Sequence, residues 1–450
     1  MKIKYLKIVG LILTVMVLLI ACSSNSSGKE NGDNKSVELT FMYWGSNDEK
    51  QAVQQMIDSF NKSHPDIKVV GQHVTGDYNT KINTLMASNE LPDVAYLSAS
   101  LARKWAKEGK VMDLTEYETA YPELASRVPQ SYLYYEPGKH IGNTTAAEII
   151  MMFYNKALFE EASVELPPSK AEKGWTWDEF VEVAKKLTKD SNGKSPDQPG
   201  FNPKNIVQYG VSIPTNFNGW LPIVQSNGGD LTNEDGTELT LNTPEAKEAL
   251  EKIHDLIYKH HVAPTPVQME NMPATSVSLQ TKKVAMAIDG QWALLDIAAS
   301  GIDLGTAVLP YFKEPTTIFL AGASVIFSST EYPEEALEFY LYHNDPEQVD
   351  LFEKGLWMPI QEEYYTDEEK IASWTDNDVH SEDYKEAAID YLVNHSVSAP
   401  EHTIVNWDEV NTALEQALDQ YWTNAKSLDE VLSEAEAAVN PVLDGKFPTE

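Results

Sequence analysis

Sixty-nine carboxylates, ten histidines, ten tryptophans and a single thiol are the groups in this 450-residue chain from which chemistry could be built. The histidines show no His-Glu-x-x-His spacing. His260 and His261 are adjacent, so they point apart on a helix and suit a solvated helix end better than a metal site. One cysteine excludes an intrachain disulfide, a cysteine-rich zinc site and an iron–sulfur cluster. Gly193-Lys194-Ser195 lacks the upstream glycine of a phosphate loop, since Thr188 stands there. Gly193 and Gly236 fail as calcium-loop glycines because Thr188 and Leu231 occupy the first ligand position. Neither a dinucleotide fingerprint nor a serine nucleophile elbow is present. Paired carboxylates would suit glycoside hydrolysis, but with so many acids no spacing singles out one pair. What remains is a chemistry of binding by aromatic rings, carboxylates and amides.

The charge balance narrows the partners. Lys and Arg total 34, so the formal net charge is −35, which repels phosphate backbones and anionic headgroups. A general nucleic-acid role is excluded. Hydrophobic residues at 42% and charged residues at 23% are a globular composition, and the length allows two or three compact units at ~150 residues each. Lys2, Lys4 and Lys7 precede an uncharged, mostly apolar run from Ile8 to Ala21. That run is shorter than the ~20 residues of a bilayer span and has the layout of a secretory signal. It ends Leu19-Ile20-Ala21-Cys22, which looks like a bacterial lipobox: a branched residue, a small residue, then the thiol that takes the lipid. Residues 1–21 then read as a lipoprotein signal peptide. Cys22 becomes the lipidated (palmitate-type) N-terminus at the cell membrane. Residues 22–36, rich in Ser, Asn and Gly, read as a flexible tether.

The elements that must position a site follow from periodicity. Residues 37–43 alternate as a strand, and 44–48 break the pattern, with Asp48 placed to cap a helix bearing Val53, Met56, Ile57 and Phe60 on one stripe. Residues 67–70 read as a strand, 78–88 as a helix, 92–97 as a strand and 101–107 as a helix. This order predicts a parallel α/β sheet whose ligand lies beyond the strand ends, at Trp44–Asp48 and Leu97–Ser100. Further on, 148–154 reads as a buried strand and 177–187 as a helix capped by Thr176. A hairpin turn falls at 233–236 and a helix at 244–259. Residues 284–288 and 321–327 read as buried strands, and the chain from 331 onward is mostly helical.

Several segments carry a more specific resemblance. They are the Leu39–Gly45 strand with its Trp-Gly end, Phe60–Val69, Leu91-Pro92-Asp93-Val94, Phe153-Tyr154-Asn155-Lys156 and Trp175-Thr176-Trp177-Asp178-Glu179-Phe180. The sharpest is Lys283–Trp292, followed in order by Val308-Leu309-Pro310 and Gly322-Ala323-Ser324. Together they resemble family 1 of the bacterial extracellular solute-binding proteins, the maltose-binding-like group of ABC importers. The resemblance implies an α/β, two-lobed periplasmic-binding-protein-like fold (type II) with a multi-strand hinge. Lobe one would be 37–142 and 321–344, and lobe two 143–320 and 345–450. A ligand would lie in the cleft between them.

It also implies site residues. Trp292 matches the family tryptophan that faces ligand, and Glu148 a carboxylate that bonds hydroxyls. Asn216, Asn218 and Trp220 fall in a polar–aromatic contact loop, and Trp407 fits a late helix-start aromatic. Trp44 and Asp48 stand at the first strand end, with Asp48 more suited to capping. Asp289, Gln291 and Gly322 are further candidates, and Trp357 reads as structural. Ser98 and Ser100 replace an aspartate common in these relatives, which argues against copying maltose specificity. The physics of such a set favours a sugar: pyranose C–H faces pack on rings, while hydroxyls bond carboxylates and amides. Arg103 and Arg127, the only arginines, lie away from the strand ends, which counts against anionic ligands. The expectation is a lipid-anchored receptor that binds a mono- or oligosaccharide without catalysis, cofactor or metal. It would be a monomer, docked on a two-subunit permease at the extracytoplasmic face of a Gram-positive bacterium. The rivals are a glycoside-degrading enzyme, a receptor for a non-sugar solute, and an adhesin.

Overall fold

The alternation that marks the first strand also sets its place. Leu39 and Phe41 are fully buried, and the strand β1 (Val37–Tyr43) sits inside a four-stranded sheet. The computed structural model describes residues 36–450, so Cys22, the leader and all but the last tether residue lie outside the described residues. β1 pairs in parallel with β2 (Ile67–His73) and with β3 (Val94–Leu97). The helices Asn47–Ser63 and Tyr78–Ser88 make the two crossovers. Val53, Met56, Ile57 and Phe60 face the core, as their spacing requires.

A hairpin of β4 (Tyr132–Glu136) and β5 (Lys139–Asn143) follows, and it was not evident in the periodicity. The next strand, β6 (Glu148–Asn155), opens a second sheet. Every residue from Ile149 to Asn155 is buried, which is how a continuous apolar run behaves at the centre of a sheet. The sheet is completed by β7 (Lys189–Asp190), β8 (Ile206–Ser212), β9 (Val284–Gly290), β10 (Leu304–Ala307), β11 (Thr317–Leu320) and β13 (Ser396–Ser398). Its order is β13-β11-β6-β9-β8-β7, with β10 sharing an edge of β6 with β11. The helix Trp177–Leu187 begins with the expected Thr176 cap, reciprocated by Glu179.

The run expected as one strand over 321–327 divides. β11 belongs to the second sheet, and β12 (Ala323–Ile326) returns to the first, antiparallel to β3. The connection between them, Ala321-Gly322, is therefore a crossing between the sheets. It runs beside the crossing from β5 to β6: Thr145 N–H donates to the Gly322 carbonyl at 2.8 Å, and the Thr145 and Ser324 hydroxyls are 3.0 Å apart. A third passage lies alongside, where Ala147 N–H donates to the Met358 carbonyl at 2.9 Å.

The C-terminal third is largely helical, with a π-helical stretch at Lys385–Asp390 and long helices at Trp407–Trp422 and Leu428–Val439. It is tied to the first sheet's helix Ala99–Lys107 by Arg103. That buried guanidinium donates to the carbonyls of Ala99 (3.0 Å), His402 (2.9 Å) and Glu401 (2.8 Å), and it lies 3.9 Å over the Phe447 ring. Arg103 thus fills its donors with backbone. Arg103→Met strips three buried carbonyls of a charged donor and should lower stability by about 3 kcal/mol in denaturant titration. A change under ~0.5 kcal/mol would show that these bonds are replaced by water.

Candidate functional site

The chain turns sharply after β1. Gly45 has φ +136°, and a Cβ there would stand 2.0 Å from Glu49 Oε2. Only glycine lets the carboxylate fold back over the turn. Ser46 caps the following helix, its Oγ accepting from the N–H groups of Asp48 (3.2 Å) and Glu49 (3.1 Å). The expected cap, Asp48, is instead an exposed first-turn residue. A hydroxyl at Ser46 reaches the second- and third-residue donors, which a residue two positions inside the helix does not. Ser46 Oγ also reaches Asp296 Oδ1 at 3.0 Å, joining the first sheet's layer to the helix Leu294–Ala299.

Between the sheets, against the crossings, lies a cavity of about 270 Å³. The first sheet's layer supplies Trp44, Gly45, Glu49, Val53 and Tyr96. The second supplies Glu148, Trp292 and Leu320, and the third passage supplies Leu356 and Trp357. The rings are held edge to face: Trp44 lies 5.0 Å from Tyr78 and 5.2 Å from Tyr96, and Tyr96 lies 6.2 Å from Trp357. Two glycines make room for two tryptophans. A Cβ on Gly322 would meet the Trp44 ring at 2.7 Å, and one on Gly290 the Trp292 ring at 2.1 Å. A larger cavity of about 600 Å³ lies between His64, Arg127, Tyr342 and Tyr364. Three of the five acids on its border, Glu338, Glu347 and Glu363, are already paired with His64 or Lys370. The smaller cavity is the better candidate because both sheets and a crossing converge on it.

Residues 44–349 match the family described as bacterial extracellular solute-binding protein. The chain belongs to that family. It is 26% identical over 390 residues to a putative ABC transporter periplasmic-binding protein of Escherichia coli, covering 82% of each chain. An arabinooligosaccharide-binding protein of Halalkalibacterium halodurans is 28% identical over 218 residues, 47% of this chain and 44% of that one. Among solved structures, an ABC substrate-binding protein from Listeria monocytogenes in complex with cycloalternan superposes with a TM-score of 0.77. It is 23% identical, and the match covers 90% of this chain and 98% of that one. The two-lobed α/β architecture with crossing strands is the fold of these solute-binding proteins.

The structure of this solute-binding protein sorts the expected site residues. Trp44, Glu148 and Trp292 line the cavity, and Gly322 forms the floor under Trp44. Ser98 is removed from the cavity and caps its own helix, accepting from Leu101 N–H at 3.3 Å. Ser100 is buried in that helix, so the second strand-end segment contributes Tyr96 instead. Asn216 is exposed, and Asn218 stands outside the cavity. Trp220 is packed in the core, because the helix Phe217–Ser226 turns it inward. Trp407 is likewise buried, edge-on to Phe217 at 5.2 Å. Gln291 is fully buried and donates to the Gly355 carbonyl at 3.2 Å. Asp289 accepts from the Thr275 hydroxyl and from Gly290 N–H, so it is occupied in the second lobe. Among the aromatic and acidic lining residues, three escaped the sequence reading: Trp357 read as structural, Tyr96 only as part of a short apolar strand, and Glu49 was not singled out. A Ser46-x-x-Glu49 pattern directly after Trp-Gly is the signal that points to Glu49. Among the described residues, no three of His, Cys, Asp and Glu converge for a metal ion.

The electrostatics are one-signed. Burial, then the charge of Asp296, pushes the Glu49 carboxyl up to about 7, against the opposing Ser46 N–H. Burial, then Glu49 and Glu401, holds Glu148 well above the carboxylate range. Burial also raises Asp296, with Asp48 adding to it. Among the described residues, no Lys, Arg or His lines the cavity. A carboxyl whose folded value is raised from 4.5 to about 7 favours the fold below pH 4.5 and loses that contribution as pH rises through 7. Glu49→Gln keeps the shape and the Ser46 contact. It should raise the melting temperature at pH 8, by at most about 3 kcal/mol of stability, and change it little at pH 5. Equal effects at both pH values would contradict the raised carboxyl.

Proposed function

We propose that this chain is the lipid-anchored, extracytoplasmic sugar receptor of an ABC importer, held to a Gram-positive cell membrane through Cys22. The observation that carries the reading is the cavity at the crossings. Trp44, Tyr96, Trp292 and Trp357 line it with aromatic rings, and Glu49 and Glu148 with acceptors, with walls from both sheets. Ring faces take the C–H rows of a pyranose, and carboxylates take its hydroxyls. The relatives named for arabinooligosaccharide binding and the cycloalternan complex support the same class. At about 270 Å³ the cavity is at the small end of ligand sites, which run from about 300 to 1,000 Å³, and it suits one or two sugar rings.

In this reading the lobes are 37–142 with 321–344, and 143–320 with 345–450. They turn on the paired crossings to enclose the sugar, and the closed monomer presents it to the permease. No bond is made or broken.

The test is thermal unfolding of the full-length chain, in a polyoxyethylene detergent that carries no sugar, against a panel of mono- and disaccharides. A bound sugar at 100 times its dissociation constant should add about 2.7 kcal/mol. Trp292→Ala should abolish the rise while the unliganded protein still melts cooperatively. Stabilisation by polyols or peptides but by no sugar would keep the receptor and discard the carbohydrate. Turnover of an aryl glycoside would replace the receptor with an enzyme.

A further inference from the structure

The sugar reading leaves one feature of the cavity unused. A neutral sugar's hydroxyls can donate to two acidic groups that share a small space, but they bring no positive charge to balance them. Glu49 enters the cavity from the first sheet's layer and Glu148 from the start of β6. The outside charges acting on them are those of Asp296 and Glu401, and both are acidic. Among the described residues neither carboxylate meets a Lys, Arg or His, and none lines the cavity. The wall between them holds Tyr96, 5% exposed, whose buried hydroxyl has no hydrogen-bond partner. A buried hydroxyl without a partner in a ligand cavity is a group waiting for one.

Resting on the sugar-receptor reading, we propose that the ligand is an amino sugar, its protonated nitrogen seated against Glu49, Glu148 and the Tyr96 hydroxyl. An ammonium carries three N–H donors and no acceptor. The cavity presents three acceptor groups and no competing cation. A cation beside the two carboxyls favours their charged forms and makes its hydrogen bonds charge-assisted, which a neutral hydroxyl does not do. The faces of Trp44, Trp292 and Trp357 attract a cation through their ring quadrupoles and still pack the sugar's C–H groups. The long-range field agrees, since a chain of net charge −35 draws cationic solutes and repels anionic ones.

The experiment is calorimetric titration of the full-length chain in polyoxyethylene detergent at pH 7. Glucosamine, galactosamine and mannosamine are each compared with the parent neutral sugar and the N-acetyl derivative, which keeps the ring but loses the charge. The expected result is binding of one amino sugar at least about tenfold tighter than both comparators. Glu148→Gln, and separately Glu49→Gln, should erase the preference. If either variant loses cooperative melting, the other carries the test. A neutral or N-acetylated sugar that binds as tightly as the amine overturns this inference and leaves the sugar receptor standing. Equal binding of tetramethylammonium shows that charge alone is read, and overturns the amino sugar. If no sugar binds, charged or neutral, the receptor reading fails and this inference with it.

Discussion

One backbone hydrogen bond, from Thr145 N–H to the Gly322 carbonyl, holds two chain crossings side by side where they pass between the sheets. Everything that makes a site here depends on that arrangement. Each sheet buries its own apolar strands and is stable in the ordinary way, with each large side chain contributing about 1.5–3 kcal/mol. The crossings decide where one sheet's strand ends meet the other's. Gly322 lies under Trp44, Leu320 lines the cavity just before the crossing, and Glu148 lines it just after the neighbouring one. Without the pairing the same residues would belong to two separate surfaces.

The acids in the cleft set fold and function against each other. Glu49, Glu148 and Asp296 are partly desolvated and close to one another in charge terms, so each raises the proton affinity of its neighbours or is raised by burial alone. An apolar replacement would be easier to fold. Asp296 is answered by the Ser46 hydroxyl, whereas Glu49 and Glu148 border the cavity, where the proposed ligand would meet them. Arg103 is the counter-example. It is more deeply buried than any of the three, but its donors are filled by backbone carbonyls, and its work is structural.

Much of this was legible in the sequence, and the reasons differ by element. The first strand–helix–strand unit and the Thr176-capped helix carry clean periodicity and local cap chemistry, so they could be placed closely. β8 was missed because Gly210 and polar residues interrupt its pattern, and β11 and β13 because four and three residues are too short to show a period. The π-helical stretch at Lys385–Asp390 has the same apolar content as an α-helix. Among the cavity-lining residues, Trp44 stood out by its place at a strand end and Trp292 by the family resemblance of its segment. Trp220 and Trp407 carry the same residue type, yet helix orientation turns them inward, and orientation is a tertiary fact. Tyr96 was hidden for the opposite reason: in sequence it is one more buried strand residue, and only its unpaired hydroxyl distinguishes it.

The contact between Trp44 and Gly322 joins two roles that are usually separable. Gly322 carries the chain from one lobe to the other and is also the surface on which an indole of the binding site rests. In the proposed receptor, lobes turning about the crossings would carry the support under Trp44 with them, so closing on a ligand and reshaping the cavity would be one movement.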